Sequence, residues 1–523
     1  MTGDTLKIFF TMAAYMLVVI GIGLFFAKRA QASSENYFLG GRSLGPWVAA
    51  MSAEASDMSG WLLMGLPGVA YWSGIADSFW TALGLGVGTY INWLIVAQRL
   101  RRYSAVTNNA ITIPDFLSNR YHEEKKVILG IAAIFILVFF TVYAASCFVT
   151  CGKLFSTLFG KSYHSMMIAG AIFVVIYTFL GGFLAESTSD FMQGVVMIFA
   201  LIVILVAGTA SAGGFNAVVE NAKSIPGYFS LNSMAVPKVG ADKVQQVVGN
   251  VPQFGKAAPY GFLTILSTLS WGLGYFGMPQ VLLRFMAIRK VDELKMSRRI
   301  ATVWCFISLI SAVAIGVIGR AMFPFSETLS TAGGAENVFI VISQSILPPV
   351  LAGLVMAGIL AATISSSDSY LLIAASAFAK NVYEGILKKN QADDKVVMRV
   401  SRGMLLLVAL LGMVIAWDKD SVIFTIVSFA WAGFGATFGP IMLFSLFWKR
   451  TTREGAIAGM VTGGAMVFIW KLLIKPMGGL FGIYELLPAF VLSCIVIVLV
   501  SLATKEPSEE IQKEFEESKT FAL

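Results

Sequence analysis

Glu54 and Asp57 stand three residues apart in the middle of an apolar run, within Ser52–Trp61, and Gly65, Pro67 and Gly68 follow closely. A carboxylate at that depth in hydrocarbon costs about 2.5 kcal/mol or more, and by default it marks a functional position. Its structural alternative is a carboxylate paired with a basic residue at a helix end. A second stretch, Ser270–Pro279, spaces Gly272, Gly274, Gly277 and Pro279 so that a helix is weakened at mid-depth. Trp271 and Tyr275 are four apart there and are expected to share one helical face. A third stretch, Ala361–Tyr370, gathers Thr363, Ser365, Ser366, Ser367 and Ser369 around Asp368. Ala362, Ser365 and Ser366 fall at i, i+3 and i+4, so one carbonyl and two hydroxyls can face a common point. Uncharged oxygens with little water suit a hard monovalent cation, although serines bonding back to their own helix account for the pattern equally well.

Asp190 follows the turn-forming pair Gly181 and Gly182. Two carboxylates at this depth, Asp190 and Asp368, need a shared cation, a proton or a basic partner. With Ser365 and Ser369 they offer a second cation position toward the cytoplasmic side. The competing reading makes Asp190 an N-cap of its helix and leaves Asp368 protonated or paired with a cytoplasmic Lys or Arg.

Other chemistries have little to build on. The chain holds two histidines, His122 and His164, and its four cysteines (Cys147, Cys151, Cys305, Cys494) lie inside apolar segments with no disulfide or metal-ligand spacing. No phosphate-binding G-x-x-x-x-G-K-[ST] motif and no His/Cys/Ser catalytic set is present. Nothing in the pattern calls for a cofactor, a nucleic acid or an obligatory protein partner.

The elements that position these residues are membrane helices. The 523 residues are 57% hydrophobic and 13% charged, against about 25% charged in a soluble domain. Apolar runs of membrane-spanning length predict about 13 helices, near 7–27, 45–72, 79–98, 127–156, 163–183, 189–210, 260–287, 300–322, 348–379, 398–417, 421–447, 454–475 and 482–503. The first run, 8–27, exceeds a signal-peptide core and is expected to be retained. The net charge of +8 is carried by alternate loops, at Lys28/Arg29/Arg42, Arg99/Arg101/Arg102/Lys125/Lys126, Arg289/Lys290/Arg298/Arg299, Lys388/Lys389/Arg399/Arg402 and Lys449/Arg450/Arg453. This asymmetry places the N-terminus outside and the tail from Lys505 in the cytoplasm. Two external segments, Ser211–Pro259 and Pro324–Leu347, are expected either to cap the outer face or to be plain solvated loops. The tail after Glu506 is expected to fray or to lie as a surface helix.

Irregular backbone inside a membrane survives where it is buried in protein or lines a cavity, so the interrupted helices point to a binding site. The two Gly/Pro-broken segments lie five helices apart, an odd offset, and therefore cross in opposite directions. That is the mark of an inverted-topology repeat with a midplane site.

At Gly40–Pro46, Ala55–Gly68, Trp271–Pro279, Arg284–Ala287 and Ala430–Pro440 the sequence resembles the sodium/solute symporter family, most closely its proline-carrying members. The likeness covers essentially all helices. It implies an all-α integral membrane protein with a LeuT-type 5+5 inverted-repeat core and midplane broken helices. In residues, it implies an extra helix and loop (1–44), a first repeat (45–210), an extracellular loop (211–259), a second repeat (260–447), two further helices (448–503) and a cytoplasmic tail (504–523). On this resemblance the coupling ion is sodium, held by the carbonyls of Ala55, Met58 and Ala362 and the hydroxyls of Ser365 and Ser366. The solute is L-proline, or another small amino acid or carboxylate, in a pocket of Asp57, Ser59, Gly60, Tyr143, Trp271, Tyr275 and Pro279. The second cation position involves Asp190, Asp368 and Ser369, where family members carry serines in place of this aspartate. Ser366 stands where relatives often have threonine, and Glu54 where a small residue is expected.

Overall fold

The computed structural model describes residues 3–30 and 34–521. The side chains of Lys28 and Arg29, which open the first basic loop, lie outside the described ones. The principal helices of the first half are α1 (Gly3–Ala30), α2 (Pro46–Asp57), α3 (Leu66–Ser73), α4 (Ile75–Ile91), α5 (Ala97–Val106), α6 (Val127–Phe159) and α7 (Tyr163–Ser211). Those of the second half are α8 (Phe262–Leu269), α9 (Pro279–Ala287), α10 (Leu294–Met322), α11 (Pro349–Ser376), α12 (Asp394–Ile415) and α13 (Ile423–Phe447). After these come α14 (Arg453–Ile469), α15 (Leu486–Ala503) and the tail helix α16 (Glu509–Thr520).

Among the described residues ten stretches are long and apolar enough to cross a bilayer, and Tyr163–Phe179 is a shorter apolar helix. Their outer faces carry Val414 at 71%, Leu472 at 65% and Ile310 at 63% exposure. A girdle this apolar is tolerated only by a hydrocarbon solvent. The chain is a multi-pass membrane protein. α11 is the most enclosed span, and every residue from Val355 to Ala377 is buried. Its serine-rich stretch therefore faces protein on all sides, packed among α7, α6 and α1.

The expected break between residues 183 and 189 is a bend instead. α7 is one helix of 49 residues, which if straight would be about 74 Å long. The Tyr177 hydroxyl lies 2.5 Å from Ser189 Oγ, although residues twelve apart are about 18 Å apart along a straight helix. α7 must therefore fold sharply between them.

Residues 211–259 and 324–347 are more structured than solvated loops. The first holds a helix, Phe215–Ser224, and two short antiparallel ribbons, one pairing Ser233–Met234 with Ala258–Pro259 and the other Val247–Val248 with Val251–Pro252. The second holds the helices Ala332–Ala335 and Val338–Ile346, and buries Val338, Phe339, Ile340 and Ile342. The tail helix does not fray, because Ile511, Phe515 and Ser518 are buried and it packs on α5.

Candidate functional site: two broken helices against a serine-rich helix

α2 ends at Asp57 because Met58 turns out of the helical region (φ −83°, ψ 75°). The Met58 amide still reaches Glu54 O at 2.8 Å, but the Ser59 amide, due to bond Ala55 O, donates to Asp57 O at 3.0 Å instead. The freed Ala55 carbonyl points across to α11. There it accepts the hydroxyls of Ser365 at 2.8 Å and Ser366 at 3.3 Å. Ser365 Oγ is also 3.2 Å from Ala362 O. Four of the five expected cation ligands thus converge in one place, and all are uncharged oxygens. Met58, the fifth, ends the helix beside them. Such a donor set fits a small hard cation. Ser367 differs, since its hydroxyl bonds back to Thr363 O at 2.6 Å on its own helix.

The chain resumes as a wide turn over Trp61–Gly65. Gly60 is required in the gap, because a Cβ there would lie 2.3 Å from Thr150 Oγ1 on α6. Asp57 is fully buried, and its Oδ2 accepts the Tyr275 hydroxyl at 2.7 Å. That bond ties the first broken segment to the second. Asp57 Oδ1, Ser59 Oγ and the Tyr143 hydroxyl are buried with no hydrogen-bond partner among the described residues. Orphaned polar atoms at this depth are costly, and they are suited to the charged ends of an amino acid.

In the second segment α8 tightens into a 3-10 stretch over Ser270–Gly277, Met278 is extended, and Pro279 opens α9. The α-helical spacing expected to set Trp271 and Tyr275 on one face is replaced here by a 3-10 turn, although both rings still reach Trp431. At three residues per turn, positions four apart are rotated by about 120°. Tyr275 accordingly turns to Asp57, while the Trp271 ring joins an aromatic wall with Tyr484 (centroids 5.2 Å apart), Phe424 (5.3 Å), Trp431 (5.9 Å) and Trp61 (6.2 Å). Trp431 also meets Tyr275 edge-on at 5.0 Å. Its indole N–H donates to Trp271 O at 2.8 Å, across a gap that Gly274 keeps open. Pro279 stands apart from this group, on a narrow crevice with Ile113, Ile136, Leu283 and Ile373.

Asp190 does not sit at a helix N-terminus. It is buried inside α7, and its Oδ2 accepts Ser52 Oγ at 2.7 Å and the Arg284 guanidinium at 3.3 Å. Arg284 also donates to Ser52 Oγ (2.9 Å), Gln280 O (3.1 Å), Ser369 Oγ (3.0 Å) and Glu186, which in turn accepts the Ser369 hydroxyl. Asp368 accepts its neighbour's amide at 2.8 Å, and its other oxygen has no partner among the described residues. Sequence reasoning missed Arg284, Glu186 and Ser52. The signal available was Glu186 four residues before Asp190, on the same helical face.

Two further buried charges carry geometry of their own. Glu54 Oε1 accepts Thr89 Oγ1 at 2.9 Å and the Trp93 indole at 3.4 Å, which ties α2 to the α4–α5 span. Lys153 on α6 donates to Glu336 (2.6 Å), Ser421 O (2.7 Å) and Gly333 O (2.9 Å). Glu336 caps α13 by accepting the amides of Ile423 at 2.9 Å and Phe424 at 3.0 Å. Removing one partner of a buried pair costs about 3–5 kcal/mol. Glu336→Ala is therefore expected to lower the Tm of the detergent-purified protein by several degrees, and an unchanged Tm would show that this knot contributes nothing to stability.

A family model described as sodium:solute symporter family matches residues 37–463. The chain is 42% identical over 510 residues to the sodium/proline symporter of Escherichia coli strain K12, covering 97% of this chain and 95% of that protein. It is 39% identical over 505 residues to the sodium/proline symporter of Staphylococcus aureus strain USA300, with coverage of 96% and 93%. Among solved structures it is similar to a Na+-coupled sialic acid symporter in a substrate-bound outward-open state. That match has a TM-score of 0.73 and 17% identity and covers 96% of this chain and 99% of the other. It is also similar to Mhp1, a nucleobase-cation-symport-1 family transporter, closed with bromovinylhydantoin bound, with a TM-score of 0.53, 11% identity and coverage of 93% and 99%. At these identities the likeness to the solved structures is one of fold.

Proposed function

Because the chain belongs to the sodium:solute symporter family, we propose that it carries L-proline with sodium across a bacterial plasma membrane by alternating access. It is a transporter and not an enzyme. The observation that carries the reading is the convergence of Ala55 O, Ala362 O and the Ser365 and Ser366 hydroxyls at the break in the first helix. Sodium bound there, with Met58 O as its fifth ligand, pins the unwound turn against α11. Asp57, Ser59 and Gly60 follow within five residues of Ala55 and are fixed by the same contact. Sodium thus preorganises the polar side of the pocket, where Tyr143 joins them, and proline in return strengthens sodium binding. Trp271 and Tyr275 supply the aromatic wall that a pyrrolidine ring needs, and Pro279 stands toward the inner end.

The topology that fits has thirteen passes: the ten long spans, Tyr163–Phe179 and the two broken segments. Five passes from α2 to α7 and five from α8 to α13 form inverted halves, with α1, α14 and α15 outside them. The N-terminus is external and the C-terminus cytoplasmic. Uptake of labelled proline into proteoliposomes tests the function. It is expected under an inward sodium gradient and not under proton or potassium gradients, and sodium-independent uptake would overturn the coupling.

Asp190, Asp368 and Ser369 have the donors for a second cation, but a guanidinium already bonds two of them. Three carboxylates (Glu186, Asp190, Asp368) surround one Arg284, and an oxygen of each lacks a partner among the described residues. The excess negative charge favours a transported cation here. A sodium-to-proline ratio near two, measured by reversal potential and falling toward one in Asp368→Ala, is the expected result. A ratio of one in both proteins would leave Arg284 as the sole counter-charge.

A further inference from the structure

The tail helix α16 is attached to the cytoplasmic ends of two spans through one ring. Phe515 lies under Arg99 (4.9 Å to the ring centroid), Lys519 (5.1 Å) and Arg120 (5.4 Å). Arg99 also donates to Leu446 O at 3.0 Å, and Arg120 to Ser445 O at 3.2 Å, at the end of α13. Arg102 on α5 holds Lys519 O at 2.9 Å.

On the neighbouring face of α16, Glu510 and Glu514 are four apart and project together. Both meet His122, whose Nε2 is 2.8 Å from Glu514 Oε2 and whose Nδ1 is 3.8 Å from Glu510 Oε2. Among the described residues this is the one group of histidine, cysteine and acidic side chains whose ligand atoms come together, all within 4.8 Å of one another. His122 is a non-glycine residue at φ +47°, a conformation its surroundings must hold. Glu123 beside it is otherwise engaged, since its two oxygens accept the Val127 and Ile128 amides at 2.8 Å each.

Zinc takes imidazole nitrogen at about 2.0–2.1 Å and carboxylate oxygen at about 2.0–2.2 Å in a tetrahedron. Neighbouring ligand atoms are then roughly 3.4 Å apart by the geometry of that site; one ligand atom from each of the three side chains lies within 4.8 Å of the others, so rotation of the side chains has to bring both carboxylates to a single ring nitrogen. One nitrogen and two carboxylate oxygens leave the fourth position to water, which an adjoining cavity of about 370 Å³ can supply. That cavity is lined by Glu123, Glu124 and Glu514 against the single cation Lys126.

We propose that His122, Glu510 and Glu514 bind one divalent transition-metal ion of the zinc class. The ion staples the C-terminal helix to the cytoplasmic face.

The test is calorimetric titration of zinc chloride into the full-length, tag-free protein in lipid nanodiscs. Background binding is low, because the one other histidine, His164, lies at the other side of the membrane in the proposed topology and bonds Trp417 O at 3.0 Å. One zinc per chain is expected, with binding at least tenfold weaker in both His122→Ala and Glu514→Gln, while both variants keep sodium-dependent proline binding as evidence of fold. Absence of saturable binding, or equal affinity in all three proteins, would overturn the site. Trypsin cleavage at Lys513 reads the staple separately. Zinc is expected to slow it severalfold in the unaltered protein and not in His122→Ala. Zinc binding that leaves cleavage unchanged would overturn the staple.

Discussion

Asp57→Asn is expected to raise the sodium concentration needed for half-maximal proline uptake by roughly thirtyfold. The substitution keeps an acceptor oxygen for the Tyr275 hydroxyl, now 2.7 Å away, and so isolates the loss of charge from the loss of the tie. A unit charge about 4 Å from a sodium ion is worth about 4 kcal/mol at an effective dielectric near 20, as an upper scale. Half of that survives as roughly 2 kcal/mol, and each 1.4 kcal/mol is tenfold. The measurement is uptake against external sodium at fixed proline. An unchanged sodium dependence would remove Asp57 from the cation's surroundings.

The second large effect is a contrast along α11. Ser365→Ala and Ser366→Ala each remove an oxygen aimed at the Ala55 carbonyl and are expected to raise the half-saturating sodium concentration roughly tenfold, the scale of one hydrogen bond to a charged group. Ser367→Ala removes a hydroxyl that satisfies only Thr363 O on its own helix and is expected to shift it less than twofold. Proline uptake at saturating sodium separates weakened ion binding from misfolding, because only the former is recovered by added sodium. Equal losses at all three positions would mean that the serines act through packing.

What was legible in the sequence was the location of disturbance. Glycine and proline leave a compositional trace where these helices break, so the disturbed stretches Ser52–Gly68 and Ser270–Pro279 could be found without coordinates, though not the exact residue, Met58, at which the first one opens. Orientation within the second break was not legible, because the 3.6-residue period that would place Trp271 and Tyr275 on one face does not hold in a 3-10 turn. The partners of Asp190 were hidden for a different reason. Arg284 and Glu186 are 98 residues apart, and no local pattern says which distant charge a buried carboxylate will meet. Lys153 was hidden in the same way: a lysine in an apolar run gives no hint that its partner, Glu336, lies 183 residues on, in the turn between the helices Ala332–Ala335 and Val338–Ile346.

The aromatic wall has an optical consequence. Trp61, Trp271 and Trp431 belong to three separate elements, yet the Trp271 ring is 6.2 Å from Trp61 and 5.9 Å from Trp431. Indoles that close share their excited states, and the resulting near-ultraviolet dichroism depends steeply on their mutual angle. Ion binding that reorients the first broken segment relative to the second would change that signal in the unlabelled protein. The molecule therefore contains its own spectroscopic reporter of the two segments' relative motion, readable in a sodium titration without any introduced dye.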